Sequence, residues 1–236
     1  MRGLFVTGTD TGVGKTVLAA AIVATLRAKG VPVTALKPVI TGLDEPPADS
    51  DWPPDHVLLA RIAGCAPDQV MLTGYGRAVS PHLAAELEGR PMQPHRLVAA
   101  IGAAAGGRGV TVIEGVGGLL VPLAPRFDVR ALARAIGVPV VIAARPGLGT
   151  INHTLLTLEA ARLAALEVAG VVLTPWPKVP ERIHESNRET IERLGEVEVS
   201  TLGRVARADA AQLEAAGRRL PLESWFAPAG SDRLAS

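Results

Sequence analysis

The chain has 236 residues and a mass of 24.4 kDa, enough for one large domain or two small ones. Hydrophobic residues make up 48% and mean hydropathy is +0.28, which supplies a sizeable core and excludes disorder for most of the chain. A net charge of +1 excludes nucleic acid or an anionic membrane as the main partner, and three Trp, one Tyr and three Phe are too few for a base-stacking platform.

In chain order, an apolar strand is expected at Gly3–Thr7, followed by a glycine-rich loop and a helix at Lys15–Lys29. A second strand, Val33–Lys37, precedes a Pro- and Asp-rich segment, Leu43–Pro54, that reads as an ordered or ligand-ordered loop. Helices at Asp55–Ala63 and Pro94–Ala105 lead to a strand at Val110–Ile113. Helix and strand then alternate: helix Asp128–Ala135, strand Val138–Ala143, helix Ile151–Leu166, strand Val168–Thr174, helix Pro180–Leu194, strand Val199–Leu202 and helix Asp209–Gly217. The strands lack polar alternation, as strands covered on both faces do. The pattern predicts an α/β fold with a doubly wound, mostly parallel sheet flanked by helices. One domain is expected over residues 1–227, with residues 228–236 as a frayed tail. Cys65, alone of its type, cannot form an intrachain disulfide and reads as a helix-packed thiol. No run of about 18 apolar residues occurs and Met1–Val6 does not read as a signal peptide, so a soluble, cytoplasmic chain with no membrane or nucleic-acid partner is expected.

The strongest chemical signal is Gly8-Thr9-Asp10-Thr11-Gly12-Val13-Gly14-Lys15-Thr16, set between the first strand and the first long helix. Glycines let backbone amides converge on phosphate oxygens, and the helix start adds its positive dipole end. The spacing is a variant, with five residues rather than four between the first Gly and Gly-Lys-Thr. A nucleoside triphosphate would be cradled by Asp10, Gly12, Val13, Gly14, Lys15, Thr16 and Val17, with Lys15 reaching the β- and γ-phosphates and Thr16 ligating Mg2+. A partition- or positioning-type switch ATPase, the alternative reading, carries a signature lysine where this chain has Asp10.

Lys37 closes the second strand and is followed by Pro38-Val39-Ile40-Thr41-Gly42. At a strand's carboxyl end it is either an ordinary surface lysine or a charge that steadies a transferring phosphoryl group. Glu114 ends another apolar strand before Gly115, Gly117 and Gly118, and its carboxylate suits Mg2+. Asp44, Glu45, Asp49, Asp51 and Asp55 are candidates for a second metal ligand, and Asp55 reads equally as a helix N-cap.

Together the segments Gly8–Thr16, Lys37–Gly42 and Glu114–Leu119 resemble the dethiobiotin synthetase family. Ser80-Pro81-His82, Glu88-Gly89-Arg90-Pro91 and Leu148-Gly149-Thr150-Ile151-Asn152-His153 are similar to further segments of that family, and the likeness extends to about residue 205. The resemblance implies a P-loop NTPase architecture and an ATP-dependent cyclo-ligase of biotin synthesis. Such an enzyme converts 7,8-diaminopelargonic acid and CO2 to dethiobiotin, with ADP and phosphate released, by way of a carbamate and a carbamic–phosphoric anhydride. It further implies Lys37, Lys15 and Thr11 as catalytic residues, and Thr16, Asp55 and Glu114 as ligands of Mg2+. Thr11, Lys37, Thr41, Gly117, Gly118 and Ser80 would contact substrate, joined across a homodimer interface by Thr150 and Asn152 at the start of a partner's helix. Helix capping remains open for Asn152 and His153, a turn role remains open for Ser80, and His82 is expected to be structural. Two positions depart from the family pattern. Thr174-Pro175 stand where many members carry an adenine-reading Asn, and Gly12 stands where some carry a side chain.

Overall fold

A computed structural model describes residues 1–46, 52–107 and 109–226. The first half runs β1 (Gly3–Gly8), α1 (Lys15–Ala28), β2 (Val33–Leu36), β3 (Val39–Ile40), α2 (Asp55–Ala63), α3 (Pro67–Val70), β4 (Thr73–Gly74), α4 (Pro81–Leu87), α5 (Pro94–Ala104) and β5 (Val110–Glu114). It continues through β6 (Pro122–Ala124), β7 (Phe127–Asp128), α6 (Val129–Ile136), β8 (Val140–Ala144), α7 (Thr150–Leu163), β9 (Val168–Trp176), α8 (Arg182–Gly195), β10 (Val199–Gly203), α9 (Ala210–Gly217) and α10 (Leu222–Trp225). Every strand and helix expected above is present, and α2 has the expected bounds. The elements not anticipated are all short, from the two-residue β3 and β4 to the seven-residue α4, and too brief to show a periodic pattern.

Six strands form one parallel sheet in the order β10-β9-β8-β1-β5-β2. From β1 the chain winds outward to β2, returns to β5, then crosses over β1 to β8 and continues away to β9 and β10. That reversal opens a crevice at the carboxyl ends of β1, β5 and β8, the place where doubly wound sheets bind ligands. Alternate residues of each strand face opposite layers. Leu4, Val6, Val112 and Val141 join one core cluster with Leu18, Ile22 and Leu26 of α1. Phe5, Ile113, Val140 and Ile142 join the other with Leu132, Leu158 and Ile191. Register sets the site: Leu36 pairs Ile113, so Lys37 arrives beside Glu114 at the common end of β2 and β5.

Among the described residues no helix is long and apolar enough to cross a membrane. Asp49, Asp51 and the expected tail at 228–236 lie outside the described residues.

Candidate functional site

The glycine-rich loop joins β1 to α1. Gly14 adopts φ +91°, and a Cβ there would stand 2.8 Å from Thr174 Cγ2, so only glycine lets the loop lie on the end of β9. Lys15 opens α1, is 5% exposed, and its Nζ donates to the Asp10 carbonyl at 2.8 Å, folding the ammonium back over the loop. Burial pushes the Lys15 ammonium down from its ordinary value, and Glu114 opposes that shift. The Asp10 carboxylate accepts from the Thr11 amide at 2.7 Å. Val13 turns its side chain into the core at 2% exposure, so what it offers a ligand is its backbone.

A compact charge cluster faces this loop. Lys37 Nζ donates to Glu114 Oε1 at 2.7 Å and also to Asp55 Oδ2, while the Thr16 hydroxyl donates to Glu114 Oε1 at 2.7 Å. Burial opposes the Lys37 ammonium, but Glu114 and Asp55 outweigh it and hold its pKa raised, so it stays charged. Burial pushes the Glu114 carboxyl up against the pull of Lys37, and the Lys37 ion pair overcomes burial to hold Asp55 low. The strand-end lysine is therefore not an ordinary surface residue, since it is 6% exposed and paired twice. The N-cap alternative for Asp55 is also overturned. Pro54 holds the N-cap position, Asp55 is the first helical residue, and its carboxylate takes the ion pair.

Thr16, Asp55 and Glu114 together offer a hydroxyl and two carboxylates. Glu114 Oε2 is buried with no hydrogen-bond partner among the described residues, an orphaned acceptor beside the phosphate loop. That donor set fits Mg2+, which takes one or two carboxylates and completes its shell with phosphate oxygens and water. No group of three or more His, Cys, Asp or Glu able to hold a metal occurs among the described residues.

Phosphate loop and charge cluster border one cavity of about 770 Å3. Its lining includes Thr11, Gly12, Gly14, Lys15, Thr16 and Val17 from the loop and the start of α1, Lys37, Asp55 and Glu114 from the charge cluster, and Thr41, Ala78, Val79, Ser80 and Gly117. Gly118 is not in the lining but packs against the Gly8 and Thr9 carbonyls. Ser80 is the N-cap residue of α4, but its hydroxyl makes no capping bond and instead lies 3.0 Å from His82 Nδ1.

Other expected residues lie outside the cavity lining. Thr174 is 2% exposed beneath Gly14, with Pro175 exposed beyond it. At α7, Thr150 is buried with its hydroxyl 3.4 Å from that of Thr154, whereas Asn152 and His153 are exposed. Helix capping is not their role: Gly149 is the N-cap residue and no side chain caps α7. Cys65 is exposed just past the Gly64 that ends α2, which corrects the expected helix-packed thiol. The sequence reading missed Arg145, whose Nη2 donates to the Thr11 carbonyl at 3.3 Å, and Asn187, whose amide donates to the Pro146 and Gly147 carbonyls at 2.9 and 3.1 Å. Arg145 follows directly on β8, so its strand-end position was the available signal.

A parallel sheet of this order with a phosphate loop after its central strand and a carboxylate at the end of the neighbouring strand defines a P-loop NTPase. A family model described as "AAA domain" matches residues 2–212. "ATP-dependent dethiobiotin synthetase BioD" of Anaeromyxobacter dehalogenans is 45% identical over 195 residues, covering 80% of this chain and 86% of that protein. The protein of the same name from Mycobacterium avium is 40% identical over 217 residues, covering 91% and 93%. A solved structure titled "Structure of Cyanthece apo McdA" shares the fold at a TM-score of 0.55 and 13% identity, covering 96% of each chain. The chain belongs to the dethiobiotin synthetase family.

Proposed function

We propose that this protein is an ATP-dependent ligase that closes the cyclic urea of dethiobiotin from 7,8-diaminopelargonic acid and CO2, releasing ADP and phosphate. The observation that carries the reading is one cavity lined by Lys15, Lys37 and the Thr16–Glu114–Asp55 donor set together with Thr41 and Ser80. One side suits a triphosphate and the other leaves room for a second substrate. The family's relatives are named for this activity.

In the proposed sequence one amine of the diamine adds to CO2 and loses a proton, giving a carbamate. A carbamate oxygen attacks the γ-phosphorus and ADP departs, leaving a carbamic–phosphoric anhydride. The second amine attacks the carbamate carbon, phosphate leaves with the bridging oxygen, the amine gives up a proton to the departing phosphate or to water, and the ring closes. Mg2+ held by Thr16, Glu114 and Asp55 would neutralise charge between the β- and γ-phosphates. Lys15 and Lys37 supply fixed positive charge where negative charge passes from the attacking carbamate oxygen through the transferring phosphoryl group to the leaving ADP oxygen. Thr11, Thr41 and Ser80 orient the carbamate and diamine with their hydroxyls, and Gly117 and Gly118 allow close backbone approach. Asp10, Gly12, Val13, Gly14 and Val17 complete the triphosphate cradle, with Thr174 and Pro175 on the base side.

We further infer a homodimer in which the start of a partner's α7, at Thr150 and Asn152, receives the substrate's carboxylate tail. Free amides and the positive end of a helix favour an anion. The switch-ATPase alternative finds no support at Asp10. The mechanism is tested with 18O-labelled bicarbonate: the proposed route delivers one label into released phosphate, and unlabelled phosphate would refute the anhydride.

A further inference from the structure

The motif Glu88-Gly89-Arg90-Pro91 stands outside the cavity, yet its side chains are joined to one of the cavity's walls. Helix α4 ends at Leu87. Gly89, at φ +60°, reverses the chain so that Glu88 and Arg90 both point back toward β4. Glu88 Oε1 accepts from the Gly76 amide at 2.7 Å, and Arg90 Nη2 donates to the Gly74 carbonyl at 2.7 Å. Arg90 Nε donates to Glu88 Oε2 at 3.1 Å, and its guanidinium lies 5.0 Å from the centre of the Tyr75 ring. The Tyr75 hydroxyl returns a bond to the Arg90 carbonyl at 3.2 Å, and Tyr75 itself is 1% exposed. The Arg90 hydrogen bonds, followed by the Gly76 amide, hold the Glu88 carboxyl low, so the pair stays ionic.

From residues 74–77 the connection runs to both substrate-side segments. Leu43 and Asp44 amides donate to the Tyr75 and Gly76 carbonyls at 3.1 and 2.9 Å, and the Gly42 amide donates to Arg77 at 3.0 Å. Gly42 also packs on Ala78, where an added Cβ would meet the alanine Cβ at 3.2 Å. Thus the strip that carries Thr41 and the strip that carries Ala78, Val79 and Ser80 are laced to each other and anchored at Gly74–Gly76 by one ionic pair.

We propose that Glu88 and Arg90 are positioning residues for the substrate wall: through Gly74–Gly76 they fix Thr41 and Ser80 in the cavity they share with the phosphate loop. Their bonds reach neither the loop nor the Lys37–Glu114 cluster, so the nucleotide side is independent of them. A partly exposed ion pair contributes little to global stability, so its removal acts locally. The assignment of this wall to the diamine rests on the function proposed above.

The test compares the wild type with Arg90→Met, Arg90→Lys and Glu88→Gln. Hydrogen exchange of the ligand-free protein should quicken in Arg90→Met at residues 40–44 and 74–80 and stay unchanged at residues 8–16. With turnover measured by phosphate release, Arg90→Met should raise the diamine KM about tenfold to a hundredfold, as small misplacements of a substrate do. The ATP KM should stay within about twofold. Arg90→Lys keeps a charge for Glu88 and should recover part of the loss. Unchanged exchange, exchange quickened evenly over the molecule, or diamine and ATP KM values that rise together would each overturn the proposal. If Arg90→Met does not fold, Glu88→Gln serves with the same readouts, the smaller change being a loss of charge at a retained acceptor. A wild type with no diamine-dependent turnover would refute the proposed function, and the exchange pattern would still decide the clamp.

Discussion

Replacing Lys37 by Met keeps most of the side chain's length and apolar volume while removing its charge. The ammonium is all but buried and bonded to Glu114, whose side chain is 0% exposed, and to Asp55, whose side chain is 48% exposed. Without it Asp55 can turn to water, but Glu114 stays as a buried charge held by Thr16 alone among the described residues. Removing one partner of a buried pair costs about 3–5 kcal/mol, and the half-exposed Asp55 adds little, so we expect about 3 kcal/mol. In a chain of this size that lowers Tm by about 6–12 °C. The pH dependence gives the sign. Burial already raises the Glu114 carboxyl, and losing Lys37 raises it further. A carboxyl whose pKa is higher folded than unfolded binds protons preferentially in the folded state, so acid favours folding of the variant. Urea unfolding at pH 8 and pH 5 should show the deficit against wild type shrinking at pH 5 by at least about 1 kcal/mol. A variant as stable as wild type at pH 8, or a deficit indifferent to pH, would refute the reasoning.

Gly14→Ala forces a Cβ into a left-handed backbone and to 2.8 Å from Thr174 Cγ2; we expect about 1–3 kcal/mol of strain and at least a tenfold loss of ATP affinity by calorimetry. Normal affinity would contradict the contact. Thr174 is buried under Gly14 and offers no amide to a base edge, so turnover with CTP, GTP and UTP should approach that with ATP; a strong preference for ATP would sink this expectation. Asp55 has a lowered pKa, so its pair with Lys37 stabilises the fold above the ordinary aspartate value and is lost as pH falls through the folded value. Asp55→Asn should therefore reduce stability at neutral pH and converge with wild type in strong acid, as followed by circular dichroism. Glu114→Gln should weaken the Mg2+ dependence of nucleotide binding measured by calorimetry at varied Mg2+; an unchanged dependence would remove Glu114 from the metal site.

The sheet was legible in the sequence because its strands are unbroken apolar runs whose flanking glycines and helices mark each end. The phosphate loop was legible for the same reason, lying between a plain strand and a plain helix. Of four lysines against twenty arginines, Lys15 and Lys37 are the ones buried at the cavity. The pairing of Lys37 with Asp55 was not legible, since the two lie 18 residues apart and meet through tertiary placement rather than through any local pattern. Nor was the Glu88–Arg90 anchor, because its partners at residues 74–76 lie at the end of a two-residue strand and in the loop after it, with no periodic signal of their own. Cys65 was misread because Gly64 ends α2 just before it and leaves the thiol exposed, while at the other end of that helix Asp55 was left open between a cap and a metal ligand, a choice only the tertiary ion pair with Lys37 could make.

The central claim is that one cavity joins ATP cleavage to closure of a urea from a diamine and CO2. Phosphate release measured with ATP, Mg2+, 7,8-diaminopelargonic acid and bicarbonate, with each component omitted in turn, tests it most directly. The account predicts release only when all are present, with dethiobiotin formed one for one with phosphate. Release that continues at the same rate without the diamine would contradict it.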